Sequence, residues 1–142
     1  MPPRSELPFH ERGCARCEET ANDLEQYRDK EIDGYAIRDV HMDLSRLSAK
    51  AMQWILPHYL RYCLTAEAIY NGMETEFLIY SLRPGLQFQK ETLQQLALLT
   101  SDQIRCLIHF LQWCSNQEQW QPGYVEDIRQ ALNFLRTMIR PT

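Results

Sequence analysis

The chain has 142 residues, 44% of them hydrophobic and 24% charged, enough for one core that removes roughly 68 to 70% of the unfolded surface from water without disulfides or metal. Its net charge of −4 is unevenly spread: residues 1–43 carry eleven Asp and Glu against six Lys and Arg, while the remainder carries eight against nine. An acidic first third argues against nucleic acid and anionic membranes as partners and favours a basic protein.

Residues 1–13, opening Met-Pro-Pro-Arg, are expected to be irregular, and 14–142 to form a single all-α domain. No strand pattern occurs along the chain. Within the charged stretch 15–29, Cys17, Ala21 and Leu24 recur at helical spacing, and Asp33-Gly34 breaks the chain before a short helix over 35–41. Ser48, whose hydroxyl can accept an orphan backbone N–H, starts a helix at Ala49 that is expected to reach about Ile69 and end at Asn71-Gly72. This segment is apolar almost all round, which predicts a helix surrounded by others at the centre of the domain. Pro57 lacks a donor and crowds the carbonyl four residues earlier, so a kink or division is expected near Leu56.

Residues 74–82 read as a further helix stopped by Pro84-Gly85, and 91–98 as the next. Thr100 caps a helix over 102–114, with Ile104, Leu107, Ile108, Leu111 and Cys114 as its apolar stripe. Pro122 suits the first position of the last helix, whose predicted core face is Val125, Ile128, Leu132, Leu135 and Ile139. The expected architecture is six or seven helices around a central Pro-kinked one.

The motifs Trp54-x-x-Pro57-x-Tyr59-Leu60, Ser81-Leu82-x-Pro84 and Leu99-Thr100-x-x-Gln103, leading to Phe110-Leu111, resemble those of a family of small, uncharacterised, all-helical bacterial proteins, a domain of unknown function. The resemblance spans about residues 14–136. A Pro often follows the capping Thr in such proteins, where this chain has Ser101. The resemblance implies a fold and supplies no reaction.

Most catalytic chemistries lack their parts. The five glycines form no phosphate-cradling loop, no G-x-S-x-G elbow presents a nucleophile, and His10, His41, His58 and His109 make no H-E-x-x-H pair. No Glu is followed by a His three residues on, which disfavours a helical di-metal site. The cysteines, Cys14, Cys17, Cys63, Cys106 and Cys114, are odd in number and read as reduced thiols, the last three as small core residues. With no apolar leader and no run near the roughly 18 to 20 residues of a spanning helix, a cytoplasmic protein is expected. His10, Cys14 and Cys17 offer an alternative, because an imidazole and two thiolates at this spacing can grip zinc or act as a thiol sensor. Otherwise no cofactor is expected.

What remains is an interaction surface. Glu31, Asp33, Asp39 and Asp43 surround Tyr35 and His41, combining an aromatic anchor with carboxylates that can steer and pair with a basic protein. Trp113, Trp120 and Tyr124 form a second aromatic group, suited either to a partner or to packing of the last helix. The expected function is that of a non-catalytic inhibitor or immunity-type protein. The alternatives are a zinc-binding or thiol-sensing regulator and an uncharacterised enzyme, the last favoured by any pocket that joins His58 or His41 to carboxylates.

Overall fold

Side-chain caps decide where half of the helices begin. The computed structural model describes residues 1–9, 15–120 and 122–139, and among them the α-helices are α1 (Ala15–Glu25), α2 (Gly34–Val40), α3 (Ala49–Cys63), α4 (Ala66–Asn71), α5 (Met73–Ser81), α6 (Gln89–Gln95), α7 (Ser101–Ser115) and α8 (Val125–Thr137). Asp33, Ser48, Thr65 and Thr100 each accept a first-turn backbone N–H at the start of α2, α3, α4 and α7. At Thr100 the cap is reciprocal. Gln103 N–H donates to the threonine hydroxyl at 3.2 Å while the Thr100 N–H donates to the Gln103 side chain at 2.9 Å.

The all-α expectation holds, with eight α-helices and no strand among the described residues. The extra helix comes from a boundary that the apolar pattern hides. The helix expected to reach Ile69 stops at Cys63, because the Thr65 hydroxyl donates to Tyr62 O at 2.7 Å and then accepts from Ala68 N–H at 3.2 Å, ending one helix and starting the next. Pro57 does not divide α3, which runs through it. The proline lies on an exposed face with Gln53 and Arg61, so water can serve the carbonyl that loses its donor. For the same reason α3 is not enclosed all round: Ala51, Met52, Ile55, Leu56, Tyr59, Tyr62 and Cys63 are its buried side.

Gly72 ends α4 with φ +72 and also precedes α5, and its left-handed backbone is the conformation glycine adopts without steric cost. The α7–α8 pair is the most extensive helix contact, with Ile128, Ala131 and Leu135 of α8 buried. Val125, expected in that core face, is exposed, because α8 starts at this residue and Pro122 lies in the preceding turn. Cys63 and Cys114 are core residues as expected. Cys106 is not; it lies on the solvent side of α7.

The region before α3 is tied down by polar contacts as well as packing. Leu7 is fully buried, Pro8 bridges to Leu47, and the Ser48 hydroxyl donates to Glu6 O. A 3-10 segment (His41–Arg46) joins α2 to α3, and the buried carbonyls at its end need partners. Buried Gln95 of α6 donates to Leu44 O at 3.0 Å, beside the Leu47 N–H at 3.3 Å, and to Leu47 O at 2.9 Å, linking two regions distant in sequence.

Candidate functional site

The residues expected to form one acidic surface separate into two places. Asp39 and Asp43 lie beside α1, where they and Glu19 raise the Asp23 carboxyl above its ordinary 3.8, after burial as the largest cause. Three segments, α1, α2 and the 3-10 segment, thus bring like charges close. Asp39 also accepts a hydrogen bond from the Tyr27 hydroxyl, which together with burial pushes that phenol up to about 12. Asp43 is paired with Arg46.

Between these places Tyr35 is 72% exposed, with the Arg38 guanidinium 6.0 Å from its ring centroid. His41 is turned inward instead. Only 8% exposed, it contacts the Arg38 carbonyl through Nδ1 and meets Phe77 edge-on with ring centroids 4.9 Å apart. It therefore presents no imidazole to a partner at this surface. The second aromatic group packs: Trp120 is buried, Tyr124 stands edge-on to it at 5.0 Å, and the Tyr124 hydroxyl donates to Glu76 at 2.9 Å.

Glu31 and Asp33 belong to the second place, an open cleft of about 510 Å³ between segment 27–34 and α3. From α3 come Trp54, His58, Arg61 and Tyr62, spaced so that they share one helical face. Trp54 and His58 meet edge-on with centroids 6.2 Å apart. Burial, and then the neighbouring Arg61 charge, hold the His58 imidazole below its ordinary 6.5, so it is neutral at neutral pH. Asp29 takes a left-handed backbone, φ 64, in the turn that lines the opposite side.

Charges around the cleft differ in how far they are committed. Arg28 is held by Glu25, at 2.6 and 2.8 Å, and by Pro2 O at 2.8 Å. Asp33 accepts the Ala36 N–H at 3.1 Å as the cap of α2. Lys30, Arg61, Asp29 and Glu31 make no ion pair among the described residues.

Tyr62 forms the cleft floor. Its ring lies so close to Gly34 that a Cβ there would sit 3.0 Å from Tyr62 Cε2, which accounts for glycine at this position. The hydroxyl points the other way and donates to Oε1 of Glu74 at 3.4 Å. Glu74, 1% exposed, also faces Arg38 Nε at 3.5 Å, and its backbone carbonyl accepts from the buried Tyr59 hydroxyl. Cys63 lies in the same interior, where burial pushes its thiol up to about 12, leaving it protonated and inert.

Of the alternative metal ligands, His10 and Cys14 lie outside the described residues, and Cys17 is buried on α1. No group of three His, Cys, Asp or Glu side chains suited to a metal occurs among the described residues. No helix among them is long and apolar enough to cross a membrane.

The cleft joins His58 to Asp29, Glu31 and Asp33, the kind of pocket expected to favour the enzyme alternative, but its outline was not legible in the sequence because its walls are distant in the chain. A signal existed in Trp54, His58, Arg61 and Tyr62, a polar and aromatic stripe on an otherwise apolar helix. No curated protein and no solved structure matches the chain. The model of a family of unknown function, DUF6714, matches residues 10–133, and the chain belongs to that family.

Proposed function

We propose, taking membership of a family without an assigned reaction as the premise, that this chain is a non-catalytic protein-binding module of the bacterial inhibitor or immunity type. Its acidic face covers a basic surface on another protein in the cytoplasm and blocks it sterically. The observation that carries this reading is the convergence of Glu19, Asp23, Asp39 and Asp43 from α1, α2 and the 3-10 segment, whose repulsion adds to burial, the larger cause, in raising the Asp23 carboxyl. Like charges held together disfavour the free protein, and a cationic partner relieves that repulsion on binding. The exposed Tyr35 ring on α2 is the aromatic anchor.

The test is affinity capture from the host, native mass spectrometry of the complex and binding kinetics with the partner it yields. Glu19→Lys plus Asp23→Lys is the informative variant, since Asp39 and Asp43 also make internal contacts that their replacement would disturb. Reversing two steering charges is expected to slow association by about tenfold or more and leave dissociation less affected. An unchanged association rate, or a partner without a basic surface, overturns the reading.

A further inference from the structure

We propose that the cleft between α3 and segment 27–34 binds a small zwitterion, a free L-α-amino acid, with its carboxylate toward Arg61 and its ammonium toward Glu31. This goes beyond the protein-binding reading and uses different side chains.

The argument rests on charges that the fold brings near one another without joining. Among the side chains lining the cleft, Arg28 and Asp33 are consumed by Glu25 and by the α2 cap, leaving Lys30 and Arg61 as cations and Asp29 and Glu31 as carboxylates without ion-pair partners among the described residues. A void of about 510 Å³ lies among them, inside the range of roughly 300 to 1,000 Å³ for small-molecule sites. A simple anion that satisfies Arg61 meets Glu31 as a like charge, and a simple cation has the reverse difficulty. A molecule carrying both charges satisfies both sides. Trp54 offers apolar surface for its side chain, and neutral His58 beside Arg61 supplies hydrogen bonding without a further cationic side chain. Gly34 and Tyr62 pack against each other and fix the floor of the cleft.

An amide-resolved NMR titration tests this with L-leucine, L-phenylalanine and L-tryptophan as probes. N-acetyl-L-phenylalanine, which lacks the ammonium, and L-phenylalaninamide, which lacks the carboxylate, are the comparisons. The expected result is saturable binding of at least one free amino acid with shifts confined to segment 27–37 and residues 54–65. Each single-charge analogue should bind about tenfold more weakly or less. Arg61→Gln should abolish the preference over the amide, and Glu31→Gln the preference over the N-acetyl compound. Both residues are exposed, so the variants fold, and their unperturbed spectra check that point. Absence of saturable binding by all three amino acids, equal binding of zwitterion and analogues, or shifts centred elsewhere overturns the proposal.

Discussion

On the acidic face, Glu19, Asp23, Asp39 and Asp43 are gathered by α1, α2 and the 3-10 segment until burial and mutual repulsion raise the Asp23 carboxyl. In the cleft a few residues away, Arg61 and Lys30 share the lining with Asp29 and Glu31 and form no ion pair with them among the described residues. The first arrangement is eased by a broad surface of opposite sign, the second by a compact molecule with two signs of its own. Neighbouring surfaces of one small fold therefore ask for different partners, and each can be altered without the other.

The largest expected effect comes from the cleft floor. Gly34→Val places a branched side chain where even a Cβ meets Tyr62 Cε2 at 3.0 Å, so overpacking should lower stability by about 1–3 kcal/mol. Urea denaturation should show this loss, while Asp23, measured by carboxyl NMR titration, keeps its raised value. Thr100→Ala removes the reciprocal cap of α7, remote from both surfaces, and should cost about 1 kcal/mol by the same denaturation measurement with neither surface altered.

Acid separates the two regions by sign. His58 is held below 6.5 in the folded chain by burial and then by Arg61, so as pH falls through 6.5 the unfolded chain takes up its proton first and stability declines. Replacing it in His58→Gln should flatten the stability profile as pH falls through 6.5. Asp23 acts oppositely. Its folded carboxyl binds a proton at higher pH than the unfolded 3.8, so its protonation on acidification favours the folded state. The smallest effect expected is therefore a slight stabilisation by Asp23→Asn at neutral pH, within about 0.5 kcal/mol for so exposed a residue. Denaturation of the variant beside the wild type at neutral and acid pH checks both its sign and its disappearance on acidification.

Legibility in the sequence follows the range of the interactions. Ser48, Thr100 and Gly72 act within a turn of their own positions, and the α7 stripe repeats with the helical period, so these elements could be read directly. Thr65 also carried a local signal, but continuous apolar character on both sides concealed it. His41 and Cys106 were misplaced because the side a residue faces depends on which helix packs there: α5 brings Phe77 against His41, and nothing covers Cys106. Of the six residues expected to form one surface, the sequence identified the shared charge of four, Glu31, Asp33, Asp39 and Asp43. It did not reveal that a turn at Asp29 would send Glu31 and Asp33 to a cleft and leave Asp39 and Asp43 beside α1.

Tyr62 belongs to two environments at once, its ring at the bottom of the cleft and its hydroxyl on buried Glu74 at the start of α5. The cleft consequently has no base that is mechanically separate from the interior. Whatever settles on that ring rests against the same side chain that helps hold α2, α3 and α5 in register, so melting temperature serves as a built-in gauge of the cleft's occupancy.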